Sequence, residues 1–149
     1  MAERVDEIRR EVVLKAPIER VWQAVTSAEE ISRWFGDVVE VDLKPGGKAR
    51  FGWSEYGDVF EAIVIEVKEP TRFSFSWAFD SNMPYDEGTA RLVEIDLVAE
   101  GGHTRLTLVE SGFAQLPDDL YQKRLDANSG GWDSELADLV EYLDAVRAV

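Results

Sequence analysis

The sequence predicts an α+β fold in which a sheet of antiparallel strands curls around one long helix near the C-terminus. The helix is predicted at residues 129–146, because apolar residues recur there every three or four positions. Most of the chain from Asp37 to Phe113 instead alternates between apolar and polar residues, which is typical of half-buried strands. A lone amphipathic helix after a run of strands buries its stripe on one face of a curved sheet. The stripe consists of Trp132, Leu136, Leu139, Leu143 and Val146. The acidic residues of the helix fall largely on the other side and are expected to face water, namely Asp133, Glu135, Asp138, Glu141 and Asp144.

The N-terminal part predicts one strand and two short helices. Residues 8–16 run from charged into apolar residues and form the strand. Pro17 cannot continue a strand ladder but suits the first turn of a helix. The segment Ser27-Ala28-Glu29-Glu30 has the S-x-x-E pattern of a capping box. It predicts a second short helix that carries Trp34 and ends at Gly36.

Further strands are separated by turns at residues 45–47, 56–58 and 101–102, where Gly and Pro cluster. The clearest strand is residues 72–79, with aromatic residues at every second position from Phe73 to Phe79. The alternation blurs between residues 59 and 67, which predicts either a strand covered on both faces or a β-bulge.

The segment before the long helix is predicted to be a linker, at residues 116–126, with room for one helical turn. Gly130 and Gly131 are placed at a sharp turn into the helix, because adjacent glycines usually interrupt regular structure. Asn128 or Ser129 is then expected to cap the first free amides of the helix.

Composition excludes several classes of function. The net charge of −14 argues against binding to nucleic acid or to an anionic membrane surface. The absence of cysteine and the single histidine, His103, exclude disulfides and sites built from thiolates or several histidines. We therefore expect no metal and no cofactor. The charged N-terminus and the lack of a long apolar run predict neither a signal peptide nor a membrane span, and we expect one cytoplasmic domain over residues 1–149.

Two charged residues are predicted to face an otherwise apolar strand surface. A hairpin about Gly101-Gly102 places Ile95 opposite Leu108 and Val93 opposite Glu110. Arg91 and Glu110 then become diagonal neighbours within reach of each other. If their face is the concave one, the pair is either a structural ion pair at the rim or a polar anchor that orients a ligand.

No hydrolase or phosphate-binding motif is complete. Gly52-Trp53-Ser54-Glu55-Tyr56 departs from a nucleophile elbow at its last position and lies between strands. His103 lies beside a hairpin turn, where an exposed residue is expected. An enzymatic role would therefore depend on Glu110 as an acid–base group.

These features occur in a familiar order. The residues that carry the resemblance are Ala16-Pro17, Glu19, Val21-Trp22, Trp34, Pro45-Gly46-Gly47, Thr104 to Leu108, Glu110 to Phe113, Gly131-Trp132, Leu136 and Leu139. Together they resemble the activator of heat-shock protein 90 ATPase homologue-like family of the START/Bet v-like superfamily. The resemblance implies the helix-grip fold, a seven-stranded antiparallel sheet curled around a C-terminal helix, with two short helices after the first strand. Many members of that superfamily bind lipids, sterols, polyketides or other apolar molecules between sheet and helix, and some are cyclases or dehydratases.

We therefore expect a cofactor-free site for a small apolar molecule between the concave strands and the long helix. The alternatives are a protein–protein adaptor or chaperone-linked regulator, and a cyclase or dehydratase that uses Glu110. The protein is expected to be a monomer or a homodimer. The candidate ligand-binding residues are Trp34, Phe51, Trp53, Phe60, Phe75, Trp77, Phe79, Arg91, Val93, Ile95, Leu108, Glu110, Trp132, Leu136 and Leu139.

Overall fold

The structure, a computed structural model, describes residues 4–147. It contains seven strands and three α-helices, and a short 3-10 helix at Phe113–Gln115. The strands are β1 (Glu7–Leu14), β2 (Val38–Val41), β3 (Lys48–Trp53), β4 (Asp58–Lys68), β5 (Arg72–Trp77), β6 (Arg91–Glu100) and β7 (His103–Ser111). The helices are α1 (Ile18–Thr26), α2 (Ala28–Ile31) and α3 (Asp118–Arg147).

All seven strands belong to one antiparallel sheet in the order β1-β7-β6-β5-β4-β3-β2. The β6–β7 register confirms the predicted pairing of Ile95 with Leu108 and of Val93 with Glu110. Both residues of the Gly101-Gly102 turn have positive φ, of 53° and 71°, which glycine adopts without strain. The predicted irregularity in β4 is a register shift between Val64 and Glu66, and such bulges increase strand bending and twist.

The core lies between the concave face of this sheet and α3. Alternate residues of β5, β6 and β7 point inward, and the predicted helix stripe meets them. Trp132, Leu136, Leu139 and Leu143 are all at least 96% buried, which confirms their predicted orientation. The side chain of Val146 lies outside those that the structure describes. The predicted α+β helix-grip architecture is therefore confirmed.

The long helix begins eleven residues earlier than predicted, at Asp118, so residues 118–126 are helical and not a linker. Gly130 and Gly131 lie inside α3, and the predicted caps at Asn128 and Ser129 are wrong for the same reason. An interior glycine costs about 1 kcal/mol relative to alanine. Tertiary packing on both sides of the glycine pair outweighs that local cost.

The second short helix forms, but it ends at Ile31 and not at Gly36. Ser27 occupies the N-cap position without a side-chain hydrogen bond, so the predicted capping box does not form. Trp34 lies in the turn that follows, and its indole Nε1 donates to the Ala24 carbonyl at 2.9 Å. This bond fixes the α2 turn against α1 at the edge of the core.

Candidate functional site

The predicted charged pair is present and completely buried. Arg91 Nε donates to Glu110 Oε2 at 2.9 Å, and both side chains have no solvent exposure. The pair therefore lies inside the grip, and the interpretation as an ion pair at the rim is wrong. The reason is that α3 covers the strand ends where β6 and β7 carry these residues.

Glu110 also joins the sheet to the helix through three neutral donors. Trp77 Nε1 of β5 donates to Oε2 at 2.7 Å, while Trp132 Nε1 of α3 donates to Oε1 at 2.9 Å. Asn128 Nδ2, one turn before Trp132, lies 3.0 Å from Oε1 and 3.2 Å from Oε2. A carboxylate accepts such bonds at both oxygens, so these donors satisfy the acceptors of the buried Glu110 side chain.

Arg91 is satisfied on its other side by the backbone. Its Nη1 donates to the Phe79 carbonyl at 2.7 Å, and its Nη2 lies 3.4 Å from the Ala78 carbonyl. The guanidinium carbon lies 5.4 Å from the centre of the Phe113 ring. A buried ion pair is tolerated when its remaining donors and acceptors are bonded in this way.

A cavity of about 160 Å³ opens beside this pair, at one end of the grip. We call it the Trp132 cavity. It lies between the middle of α3 and the inner ends of β3, β4 and β5. Its lining consists of Phe35, Trp53, Asp58, Phe60, Trp77, Ala127, Asn128, Gly131, Trp132 and Glu135.

Five aromatic rings form a continuous wall of the Trp132 cavity. Phe35 lies at its centre, stacked on Trp132 with 5.4 Å between ring centres and 5.1 Å from Trp53. Phe60 continues the wall, 5.2 Å from Trp77. The wall is therefore apolar and rigid, because each ring is held by at least one other.

Glu135 is the unusual polar residue of the lining. It is partly buried, and its Oε2 atom has no hydrogen-bond partner among the described residues. Burial, with a smaller contribution from the nearby charge of Asp138, raises the pKa of Glu135 from 4.5 to about 7. The sequence pattern assigned Glu135 to the solvent-facing side of the helix, and the structure corrects that assignment.

A second, much smaller cavity of about 20 Å³ lies deeper in the grip, beneath Trp34 and Phe35. Its lining is apolar and includes Phe51, Phe73 and Ile95. A volume of this size is comparable to one water molecule and too small for an organic ligand. The interior below the Trp132 cavity is therefore essentially filled by side chains.

The fifteen predicted ligand-binding residues divide into three groups. Trp53, Phe60, Trp77 and Trp132 line the Trp132 cavity. Trp34, Phe51, Phe75 and Ile95 line the small cavity, which Trp132 also borders. Phe79, Arg91, Val93, Leu108, Glu110, Leu136 and Leu139 line neither of these two cavities. Whether any of the fifteen contacts a ligand stays a prediction.

Sequence reasoning did not place six of the ten lining residues in the site, namely Phe35, Asp58, Ala127, Asn128, Gly131 and Glu135. The signal for the last three was the helical spacing 128, 131 and 135, which places them on one flank of α3 next to the apolar stripe. That spacing is recognised only if the helix already includes residue 128, which the predicted start at residue 129 excluded. Asp58 carried no comparable signal, because the sequence places it in the turn at residues 56–58, whereas in the structure it is the first residue of β4.

Two further properties of the described residues concern metal binding and membrane spanning. Within residues 4–147, no group of three or more His, Cys, Asp or Glu side chains is arranged to hold a metal ion. The helices in the described part of the chain include none that is long and apolar enough to cross a membrane.

A curled antiparallel sheet that grips a long helix, with an aromatic cavity between them, defines a helix-grip protein of the START/Bet v-like class. Residues 15–144 match the sequence model of the family described as activator of Hsp90 ATPase homolog 1-like protein, and the chain belongs to that family. The suspected resemblance is thereby confirmed. No curated protein matches the chain.

Several solved structures share the fold. DynU16, a protein in the dynemicin biosynthetic locus, is 26% identical to this chain, with a TM-score of 0.75. The match covers 94% of this chain and 48% of DynU16, so this chain spans about half the length of DynU16. PFC0360w of Plasmodium falciparum, an HSP90 activator, is 21% identical over 94% of this chain and 97% of its own, with a TM-score of 0.75. The dimeric Aha1 of Colwellia psychrerythraea is 18% identical over 93% and 96%, also with a TM-score of 0.75.

Proposed function

We propose that this protein binds a small, mostly apolar molecule in the Trp132 cavity. The observation that supports the proposal is an open space walled by five aromatic rings at one end of a core that is otherwise nearly filled by side chains. Protein interiors are normally filled to the density of organic crystals. Aromatic side chains around an unfilled space are typical of ligand sites.

The volume restricts the ligand. A cavity of about 160 Å³ is similar to one of about 150 Å³ that accommodates benzene in another protein. It is smaller than the roughly 300 Å³ at which sites for drug-sized molecules begin. The proposed ligand is therefore a one-ring molecule or a group of that size, with the rest of a larger molecule left outside.

The geometry favours binding over catalysis by Glu110. Both carboxylate oxygens are already bonded to Arg91, Trp77, Trp132 and Asn128 at 2.7–3.2 Å. A general acid or base needs access to the proton that it transfers. Glu110 would have to break this network first, so we assign it a structural role beside the site.

The glycine pair of α3 offers a matched test. A Cβ atom added at Gly130 or at Gly131 meets no atom within 4 Å, but Gly131 lines the Trp132 cavity while Gly130 is exposed. We expect Gly131→Phe to occupy the cavity mouth and Gly130→Phe to leave it open. Saturation-transfer NMR with toluene should show binding to the wild type and to Gly130→Phe, with a strong loss in Gly131→Phe. Equal toluene signals in both variants, or none in the wild type, would contradict the proposal.

A second candidate function is that of a chaperone-linked regulator or protein–protein adaptor. Its support is membership of the family together with the likeness to PFC0360w, an HSP90 activator. An adaptor would use its outer surface, and the large apolar residues exposed there, among them Val13, Tyr56, Ile65 and Val98, come from separate parts of the chain. The test is whether the purified protein stimulates the ATPase rate of an Hsp90 chaperone. Stimulation retained by Gly131→Phe would assign that activity to a surface other than the cavity.

A further inference from the structure

The charged side chains in the lining of the Trp132 cavity are all acidic. Two of its residues, Asp58 and Glu135, carry carboxyl groups, and none of the described lining residues is Lys, Arg or His. The buried cation Arg91 is engaged by Glu110 and by two backbone carbonyls. Arg124, which shares a helix with Glu135, pairs with Asp80 at 3.2 Å outside the lining. An anionic ligand would therefore meet uncompensated repulsion.

The two carboxyl groups differ in their partners. Asp58 accepts a hydrogen bond from the Ser81 hydroxyl at 3.0 Å. Glu135 Oε2 is shielded from solvent and has no partner in the described part of the chain. A buried acceptor without a partner costs free energy, and the strongest compensation for a carboxylate is a charged donor. A positively charged N–H group of a ligand would therefore compensate the unpartnered Oε2 atom of Glu135 best.

The aromatic wall adds to this preference. Aromatic rings present negative faces to a cation, and Trp does so most strongly. Trp77 and Trp132 both direct their indole N–H groups at the ionised Glu110, so the positive edges of these two rings are already used. Donation to a carboxylate also polarises the indole and leaves its ring more electron-rich.

From these observations we infer that the ligand of the Trp132 cavity is a small organic ammonium ion, with its apolar part on the aromatic wall and its nitrogen at Glu135. The inference rests on the proposed function and names the chemical class of the ligand. The high pKa of Glu135 agrees with it, because a bound cation at this carboxyl would stabilise the ionised form that burial now disfavours. The acidic neighbour that raises this pKa is Asp138 on the same helix, and Asp58 is the other carboxyl group in the lining of the cavity.

The test compares three one-ring probes of nearly equal size and different charge, namely benzylamine, benzyl alcohol and benzoate. Benzylamine is protonated at about pH 8, and benzyl alcohol retains a hydrogen-bond donor without the charge. Affinities are measured by the quenching of tryptophan fluorescence and by saturation-transfer NMR. We expect benzylamine to bind at least tenfold more tightly than benzyl alcohol, and benzoate not to bind measurably.

Two charge-neutralising variants locate the effect. Glu135→Gln should reduce the affinity for benzylamine about tenfold and leave that for benzyl alcohol unchanged. Glu141→Gln removes the same charge from an exposed position on the same helix, outside the cavity lining, and should change neither. A benzylamine affinity that falls equally in both variants would overturn the role of Glu135.

The two proposals fail in different ways. If toluene binds in the cavity but benzylamine and benzyl alcohol bind equally well, or benzoate binds best, the inference about charge is overturned and the proposed function stands. If benzylamine fails to bind while toluene binds, the inference is likewise overturned. If neither toluene nor any of the three probes binds, both proposals are wrong.

Discussion

Glu135 should make the folded protein less stable at neutral pH than it would be without that charge. The change to test is Glu135→Gln, which keeps the shape of the side chain and removes its ionisation. The carboxyl lies against the aromatic wall with one oxygen lacking a partner, and its pKa is raised to about 7. We expect the variant to be more stable than the wild type above pH 7, although it removes an ionisable group from the proposed ligand site.

The sign follows from linkage. At pH values well below 4.5, Glu135 is protonated in both the folded and the unfolded protein and has no effect. Between pH 4.5 and about 7 the unfolded chain ionises first, so the free energy of unfolding falls as the pH rises. Above that window the loss is constant. A shift from 4.5 to about 7 corresponds to roughly 3 kcal/mol at about 1.4 kcal/mol per pH unit.

Solvent at the cavity mouth screens part of this effect, so we expect a gain of about 1–3 kcal/mol for Glu135→Gln at pH 8, and a gain well below that at pH 5. Urea denaturation followed by circular dichroism at both pH values measures it. The Glu141→Gln variant controls for the removal of one negative charge from a chain of net charge −14. A Glu135→Gln variant that gains no more than the control at pH 8, or equally at both pH values, would refute the reasoning.

Three further predictions concern stability, each measured by urea denaturation. Glu110→Gln should destabilise the fold by roughly 3–5 kcal/mol, because Arg91 would remain buried without its counter-charge. Adding Arg91→Met should recover only part of this loss, since the new amide NH₂ would face indole donors. Full recovery in the double variant would contradict the network described. Trp132→Ala should cost about 3–5 kcal/mol through lost packing and a lost bond to Glu110, and an unchanged denaturation midpoint would rule that out. Gly130→Ala should stabilise the protein by about 0.5–1 kcal/mol, because this glycine lies inside a helix with open space around it, and a loss of stability would show that it serves another purpose.

The strand part of the fold could be predicted from the sequence because its signals are local. Alternation fixed which residues of β5, β6 and β7 face the core, and the Gly101-Gly102 turn fixed the register that pairs Ile95 with Leu108. The neighbourhood of Arg91 and Glu110 followed directly from that register. What the sequence did not specify was the depth of the pair, since that depends on how closely α3 packs over it.

The helical part was predicted less well, for a physical reason. Glycine propensity is a local quantity, and the pair at residues 130 and 131 argued for a break that tertiary packing overrides. Because the helix was predicted to begin only after residue 128, the residues of α3 that line the Trp132 cavity, other than Trp132 itself, were not assigned to the site. Glu135 directly precedes Leu136 of the buried stripe, at the border between the core and solvent. Whether its side chain faces the cavity or the solvent depends on the curvature of the sheet opposite. Periodicity assigns faces of a helix, but it does not show where a facing cavity begins.

The placement of donors around Glu110 determines how the grip can open. Two of its partners, Trp77 and Arg91, come from the sheet, while Trp132 and Asn128 come from α3. If the helix lifted away, the carboxylate would lose half of these partners while still held among apolar residues. Sheet and helix should therefore open together as one cooperative unit, and amides of β7 and of the middle of α3 should exchange with deuterium at a common free energy. The proposed ligand would then enter beside the helix, at the flank where Gly131 lacks a side chain, and not by displacing the helix.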